Sequence, residues 1–131
     1  MLKPVCTLLV LFLIYAGCNN SDTVIDVIQN GGNLPPRTPY NPTPHDSLTV
    51  APGTHIEFLW SGGDPNTGDT AKYDLYLDTI DPPADTLVMG SIAAVYDLGI
   101  PAPGTYFWRV VSKDLHGSTA NGPVWRFTVS P

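Results

Sequence analysis

Residues 103–114, with the sequence PGTYFWRVVSKD, limit most strongly what this chain can fold into. After a Pro-Gly turn the large residues alternate with a period of two, with Tyr106, Trp108 and Val110 on one side and Phe107, Arg109 and Val111 on the other. This period, in aromatic and β-branched residues, is typical of a β-strand with one buried face. A strand with so many rings needs a second sheet to bury them, so we interpret the rest of the domain as what packs around it.

Six further segments have strand patterns, and these are residues 48–50, 54–60, 72–78, 86–89, 94–98 and 123–129. The 14 Pro and 12 Gly, with few charged residues, fit short strands joined by turns better than helices. No window shows apolar residues repeating at helical spacing. The sequence therefore predicts an all-β fold, a seven-stranded antiparallel sandwich, and a length of 131 residues leaves room for one domain and a tail.

The first 17 residues have the pattern of a signal peptide for export. Lys3 supplies one positive charge, an apolar run follows from Val5 to Ala16, and small residues occupy positions 16 and 17. The alternative is a transmembrane anchor, but a run of about a dozen residues is too short for a bilayer that needs roughly 20. We therefore predict an extracytoplasmic protein.

The tetrapeptide Tyr15-Ala16-Gly17-Cys18 resembles the bacterial lipoprotein box. The resemblance implies that diacylglycerol is joined to the thiol of Cys18, that the chain is cut just before it, and that the new amino group is acylated. Tyr15 departs from the family's usual Leu, which leaves open either poor processing or plain secretion with a free thiol. Asn19, where Asp would favour retention in the inner membrane, implies the outer membrane. Cys6 would leave with the signal peptide, so the domain is predicted to contain no disulfide.

Residues 18–37 are rich in Asn, Gly and Pro and are predicted to form a linker between the lipidated Cys18 and a domain at 38–131. Within it, residues 22–28 form an apolar interruption. This interruption is interpreted as a poorly ordered part of the tether, and the alternatives are a short strand that docks on the domain or a fragment that only a partner orders.

The charge balance excludes two classes of partner. Twelve acidic residues against six Lys and Arg give a formal net charge of −6. No basic cluster is present that could replace the counterions of a phosphate backbone, so nucleic acid is not an expected partner. The same balance argues against electrostatic adhesion to anionic lipid, so the membrane is expected as a partner only through the lipid on Cys18.

A longer pattern in residues 38–131 resembles a fibronectin type III domain. The resemblance is carried by Leu48-x-Val50, Ile56-x-Phe58-x-Trp60, Tyr73-x-Leu75, Leu98, the stretch 103–110 and Trp125-x-Phe127. It implies an immunoglobulin-like sandwich and a structural role for six side chains, which are Trp60, Tyr73, Leu98, Tyr106, Trp108 and Trp125. Tyr106 stands at the family's tyrosine corner, where the phenol bonds back to the backbone. The Asp-Pro-Pro stretch at 81–83 departs from the pattern and leaves the pairing there open.

The loop 61–70 carries the one candidate metal site of the sequence. Asp64, Asn66 and Asp69 place three oxygen-bearing side chains within six residues, and Ca²⁺ prefers oxygen ligands. The order does not match an EF-hand. The alternative is turn chemistry, because Asp-Pro and Asn-x-Gly form tight connections without an ion. Apart from this Ca²⁺ site, no cofactor is predicted.

Four side chains are predicted to form an exposed aromatic and cationic face. Tyr76, Phe107, Arg109 and Arg126 alternate away from the core on strands that are neighbours in the larger sheet of the fibronectin type III family. Such residues are enriched at interface hot spots. The alternative is cross-strand stacking that only stabilises a solvated sheet.

No catalytic constellation is apparent, so an enzyme is not predicted. Asp114, His116 and Ser118 crowd one loop without a nucleophile elbow, and turn chemistry explains them. His45, His55 and His116 share no spacing typical of zinc ligands. The predicted function is a membrane-anchored lipoprotein whose module is a non-catalytic spacer or binds an extracytoplasmic protein or polysaccharide. The alternatives are a Ca²⁺-stiffened adhesion module and an accessory domain of a cell-envelope enzyme complex.

Overall fold

The computed structural model describes residues 32–131. The predicted signal peptide, the lipidation of Cys18 and the apolar segment 22–28 lie outside the described residues and stay predictions. Nine strands follow one another, and these are β1 (Tyr40–Thr43), β2 (Leu48–Val50), β3 (Ile56–Ser61), β4 (Lys72–Asp78), β5 (Thr86–Ser91), β6 (Val95–Gly99), β7 (Gly104–Lys113), β8 (Thr119–Asn121) and β9 (Trp125–Val129). In this part of the chain no helix is long and apolar enough to cross a bilayer.

The strands form two sheets, which confirms the predicted all-β sandwich. The small sheet has the order β1-β3-β6, and the large sheet has the order β2-β9-β7-β4-β5, with β8 paired to β7. One pairing corrects the antiparallel prediction, because β2 runs parallel to β9. This pairing places β2 at the edge of the large sheet, next to β9 and running the same way.

The structure has nine strands where the sequence predicts seven, and the two additional strands are β1 and β8. The segment β1 contains Pro42 and has Asn41 at a positive φ of 51°, which breaks the strand pattern. Proline is confined to edge strands, and β1 lies at the edge of its sheet. The segment β8 is three residues long, and Gly122-Pro123 separates it from β9, so no alternation can be read from it.

Aromatic rings from both sheets fill the space between them. Phe58 of the small sheet packs on Trp108 of the large sheet with ring centroids 4.6 Å apart, and Trp108 packs on Trp125 at 4.7 Å. Full burial of one such side chain stabilises the fold by about 1.5–3 kcal/mol. Of the six side chains with a predicted structural role, four are buried and two are half-buried against the core; the buried ones are Trp60, Tyr73, Trp108 and Trp125, and the others are Leu98 and Tyr106.

Tyr106 joins the start of β7 to the turn before it. Its phenol donates a hydrogen bond to the carbonyl of Ala102 at 2.9 Å, which is the bond that the tyrosine corner implies. Its ring stacks on Phe127 with centroids 5.1 Å apart. The hydroxyl therefore fixes the connection from the small sheet to the large sheet, while the ring extends the core.

Residues 32–39, which include the end of the predicted linker, lie along the sandwich. The backbone N–H of Arg37 donates to the carbonyl of Gly63 at 2.8 Å. Pro39 is fully buried. The chain therefore enters the domain along the loop that joins β3 to β4.

Candidate functional site

The outer face of the large sheet brings the four predicted interface side chains together. Tyr76 of β4 lies opposite Arg109 of β7, and Phe107 of β7 lies opposite Arg126 of β9. Residues directly opposite each other on one face of an antiparallel pair have Cβ atoms about 4.5–5.5 Å apart. Two aromatic rings and two guanidinium groups therefore alternate across three neighbouring strands. We call these four residues the aromatic-cationic face.

Part of this face is held by stacking within the protein. The guanidinium carbon of Arg109 lies 5.1 Å from the centroid of the Tyr76 ring, which is a cation–π distance. The Nε of Arg109 is buried and makes no hydrogen bond within residues 32–131. The ring, rather than a hydrogen-bond partner, therefore orients this guanidinium group. Stacking and presentation to a partner are compatible here, because Arg109 and Tyr76 are only half-buried.

Arg126 is held from the other side by the connection between β1 and β2. Its backbone N–H donates to Asp46 Oδ1 at 2.9 Å, and its Nε donates to Ser47 Oγ at 3.3 Å. The N–H of Ser47 donates back to the carbonyl of Arg126 at 2.8 Å. These three hydrogen bonds fix the loop and the exposed guanidinium group relative to each other.

A cleft of about 270 Å³ opens beside Phe107 and Arg126. Its walls come from the β1–β2 connection, the β4–β5 loop and strands β7 and β9, and the lining residues are Asp46, Ser47, Asp81, Phe107, Val124, Trp125 and Arg126. We call it the end cleft, because it lies at the end of the aromatic-cationic face. Its lining residues carry two aromatic side chains (Phe107 and Trp125), two carboxylates, one hydroxyl and one guanidinium group.

An ion pair between the half-exposed Lys113 and the buried Asp74 lies on the same sheet face and was not predicted from the sequence. Asp74 is 1 % exposed, although it alternates with the inward residues Tyr73 and Leu75. Its Oδ2 lies 2.5 Å from Lys113 Nζ, and its Oδ1 accepts a hydrogen bond from the N–H of Gly90 at 2.8 Å. The hydrogen bond and the charge of Asp74 raise the pKa of Lys113 above its usual value.

The cations of the described residues are concentrated on this face. Six Lys and Arg minus Lys3 leave five in residues 32–131. Four of them lie on the outer face of the large sheet, and these are Lys72, Arg109, Lys113 and Arg126. In a chain with a formal charge of −6, this distribution gives one face a different character from the rest of the surface.

The three residues of the predicted Ca²⁺ site each make a different contact within residues 32–131, and Ca²⁺ binding stays a prediction. Asp64 Oδ1 accepts a hydrogen bond from the N–H of Asn66 at 2.8 Å, as in an Asx turn. Asn66 then holds the entering chain: its Oδ1 accepts from the N–H of Leu34 at 2.8 Å, and its Nδ2 donates to the carbonyl of Gly32 at 3.0 Å. Asp64 and Asn66 therefore build a turn and a docking contact.

Asp69 meets two residues of a distant loop instead. Its Oδ2 lies 3.2 Å from His116 Nδ1, and one potential ligand atom from each of Asp69, Asp114 and His116 lies within 4.8 Å of the others. The Asp69 side chain is 5 % exposed. Spacing among the histidines alone did not predict this cluster, because Asp69 and His116 are 47 positions apart.

Asp114 organises the β7–β8 loop. Its Oδ1 accepts hydrogen bonds from the N–H groups of His116 and Ser118, and its Oδ2 accepts one from Asn33 Nδ2 at 2.7 Å. The hydrogen bond from Asn33, followed by those from the loop, lowers the pKa of Asp114 below its usual value. The carboxylate therefore joins the entering chain to this loop.

The comparisons with known proteins show the fold. No family model matches this chain, and no curated protein matches it. The chain is similar to the PKD domain of an M14-like peptidase from Thermoplasmatales archaeon SCGC AB-540-F20, with 22 % identity, a TM-score of 0.53, and coverage of 76 % of this chain and 100 % of that one. It is also similar to the fibronectin type III domain of human fibronectin type III domain containing protein 3, with 22 % identity, a TM-score of 0.53, and coverage of 76 % and 91 %. The fold is therefore fibronectin type III-like, and a fold alone does not assign a function.

Proposed function

We propose that this chain is a non-catalytic interaction module that a lipid on Cys18 anchors to the outer membrane of a bacterial envelope. The module binds a protein or a glycan with the outer face of its large sheet. The observation that carries the binding role is the alternation of Tyr76, Phe107, Arg109 and Arg126 across three neighbouring strands. Rings and guanidinium groups combine apolar contact area with fixed donors, which is why they are enriched at interfaces.

The clusters of polar side chains support a non-catalytic role, because their groups are already used to hold loops. Both oxygens of Asp114 accept hydrogen bonds from backbone or Asn33 donors. The imidazole of His116 contacts Asp69 rather than a hydroxyl or thiol. A general base must reach the proton that it removes and have a free position to receive it. Among residues 32–131 the hydroxyl beside this cluster is that of Ser118, which contacts Asp114 and Asn33, and no hydrogen bond joins it to His116.

The tether length sets how far the module can lie from the membrane. From Cys18 to Gly32 there are 14 peptide steps, since 32 − 18 = 14. A fully extended chain spans about 3.5 Å per residue, so the module stays within roughly 50 Å of the acylated residue. That distance suits a folded module that meets a partner close to the envelope surface.

The anchor is tested by metabolic labelling with an alkyne fatty acid in a bacterial host. We expect the wild-type chain to carry the label and to sediment with membranes. Each methylene of an acyl chain that is buried in the bilayer contributes about 0.8 kcal/mol to the free energy of membrane binding. The matched Cys18→Ser chain should lose the label and be recovered in the soluble extracytoplasmic fraction. An unlabelled wild-type chain whose amino terminus is Met1 would contradict the anchor.

The binding face is tested by quantitative capture from envelope extract. We expect Phe107→Ser with Arg109→Gln to lose the material that the wild type captures. The control is Glu57→Gln with Asp97→Asn, which changes two exposed residues on the outer face of the small sheet. Equal capture by the face variant and the wild type would assign the module to a spacer role.

A second candidate function is a Ca²⁺-stiffened adhesion module, and the grouping of Asp69, Asp114 and His116 favours it. The two carboxylates suit Ca²⁺, although an imidazole is a ligand that transition metals prefer. Because potential ligand atoms of these three residues lie within 4.8 Å of one another, we prefer this set to Asp64 and Asn66 as the Ca²⁺ site. An ion there would clamp the β3–β4 loop to the β7–β8 loop. We expect a higher melting temperature in Ca²⁺ than in EDTA, reduced by Asp69→Asn. A calorimetric titration without heat at millimolar Ca²⁺ would remove this candidate.

A further inference from the structure

We propose that the end cleft binds one neutral sugar ring of a polysaccharide. This inference rests on the binding role proposed above and narrows it to one place and one class of ligand. The aromatic-cationic face then acts as the approach to the cleft, with Phe107 and Arg126 belonging to both.

The size of the cleft fits a single ring. Sites for drug-sized ligands have volumes of about 300–1,000 Å³. The end cleft, at about 270 Å³, is just below that range. It is open at the surface, so the ring can remain part of a longer chain that continues into solvent.

The lining of the cleft offers both kinds of contact that a pyranose needs. The ring of Phe107 provides an apolar wall, on which the C–H face of a sugar can pack by dispersion. Within residues 32–131 the carboxylate of Asp81 accepts no hydrogen bond. It can therefore accept hydrogen bonds from two adjacent hydroxyl groups of a sugar in the cleft. The guanidinium group of Arg126 provides planar donors for ring and hydroxyl oxygens.

Part of this lining is already ordered. Arg126 donates to Asp46 and Ser47 and accepts from the N–H of Ser47, so the loop and the strand form one frame. Groups that are fixed before binding do not lose that freedom when the ligand arrives, which raises affinity. A weak, exposed sugar site benefits most from such preorganisation.

The charges in the cleft select a neutral sugar. Asp46 and Asp81 place two carboxylates against the single guanidinium group of Arg126. A uronate or a sulfated sugar would bring a further negative charge to an already acidic chain. Neutral hydroxyls, by contrast, can donate to the carboxylates and accept from Arg126.

The topology argues against an extended peptide in this place. A bound peptide strand needs a sheet edge with unpaired backbone groups. The strands below the cleft are β7 and β9, which are interior strands of the large sheet with neighbours on both sides. A ligand at the cleft therefore has to be recognised by side chains, as a sugar is.

The test is an NMR titration of the full chain, held in a detergent without a sugar headgroup. The probes are cellotetraose, chitotetraose and trigalacturonate. We expect saturable shifts at Phe107 and at residues 124–126 with a neutral tetrasaccharide and none with trigalacturonate. Absence of saturable shifts with both neutral probes, or binding of trigalacturonate alone, would overturn the proposal.

Two variants locate the site. Asp81→Asn keeps the shape of the side chain and removes its charge, and we expect affinity for the neutral probe to fall at least about tenfold, as loss of a hydrogen bond to a charged group implies. Asp97→Asn, which changes an exposed carboxylate on the other sheet, should leave affinity unchanged. Unchanged affinity in Asp81→Asn would overturn the placement.

The outcomes also separate this inference from the function on which it rests. If no neutral sugar binds but the Phe107 and Arg109 variant still loses captured material, the face binds a protein and only the sugar site fails. If neither sugar binding nor variant-dependent capture is seen, the interaction role itself fails and the module is a spacer.

Discussion

The outer faces of the two sheets differ, although the same alternation builds both sheets. On the large sheet, Tyr76 lies opposite Arg109, and Phe107 lies opposite Arg126. On the small sheet, Glu57 lies opposite Asp97, and Leu59 lies opposite Val95. One face therefore alternates rings with cations, while the other carries two acids and an aliphatic pair.

This difference is not required by the fold. The inner faces of both sheets bury apolar residues, and folding depends mainly on that burial. Outer positions tolerate many residues, so stability alone does not require the two outer faces to differ in this way. Like charges opposite each other on the small sheet weaken the pair slightly, while the large sheet gains stacking. The comparison makes the large sheet the better candidate for recognition.

The largest expected effect tests the buried side of the comparison. Trp108 points inward from β7 and is fully buried, whereas its neighbour Phe107 points outward and is half-buried. We expect Trp108→Ala to lower the free energy of unfolding by about 3–5 kcal/mol, because it leaves a cavity between the sheets. Phe107→Ala should cost less than half of that. Urea denaturation measures both, and equal losses would show that the two sides of β7 are not distinct.

The next largest effect is expected at the carboxylate that contacts a basic side chain on each face. Asp74 is buried on the large sheet, whereas Asp97, which lies 2.7 Å from His55 on the small sheet, is 65 % exposed. We expect Asp74→Ala to cost about 1–3 kcal/mol, because the N–H of Gly90 loses its acceptor and packing is lost. Asp97→Ala should change stability by about 0.5 kcal/mol or less. Comparable chemical denaturation midpoints for the two variants would contradict this ranking.

A smaller effect is expected where the chain crosses between the sheets. Tyr106→Phe removes the hydrogen bond to Ala102 but keeps the ring that stacks on Phe127. We expect a loss of about 1 kcal/mol, the net value of one hydrogen bond. Tyr96→Phe is the matched control on the small sheet, since no hydrogen bond of its hydroxyl occurs within residues 32–131. A thermal melt that does not distinguish the two variants would exclude a stabilising corner.

We expect the least change in stability at the aromatic-cationic face, where the stacking of Arg109 on Tyr76 can be tested apart from any role in binding. Arg109→Gln removes the cation above Tyr76, and exposed cation–π contacts contribute about 0.5–1 kcal/mol. Glu57→Gln is the counterpart on the small sheet and should be neutral or slightly stabilising. If Arg109→Gln lowered the melting temperature as much as Trp108→Ala, the face would be structural.

The pH dependence of stability tests the ion pair between Lys113 and Asp74 on the large sheet. The pKa of Lys113 is raised above its usual 10.5 by Asp74, so the pair contributes stability that is fully present below pH 10.5. That contribution is lost as the pH rises through the folded-state pKa. We therefore expect the difference in unfolding free energy between the wild type and Lys113→Met to be constant from pH 7 to 9 and to shrink above 10.5. A difference that stays constant to pH 12 would rule out the ion pair as its source.

Individual elements show how far sequence reasoning extends for this chain. The inward positions of β3, β4 and β9 followed from alternation alone, and Ile56, Phe58 and Trp60 are buried as that pattern predicts. The proximity of the four residues of the aromatic-cationic face could also be predicted from the sequence. Outward positions on neighbouring strands of the fibronectin type III fold must lie near one another. The burial of Asp74 could not be predicted, because alternation indicates on which side of a strand a side chain lies and not what covers that side.

Seven of the nine strands in residues 32–131, and the side chains that point inward from them, could be identified from the sequence, because a period of two is visible in adjacent residues. The parallel pairing of β2 with β9 and the contact of Asp69 with His116 became apparent only from the folded chain. The reason is physical: these contacts depend on how loops close over long separations in the chain. Loop closure is set by the packing of the whole sandwich, and no local spacing encodes it.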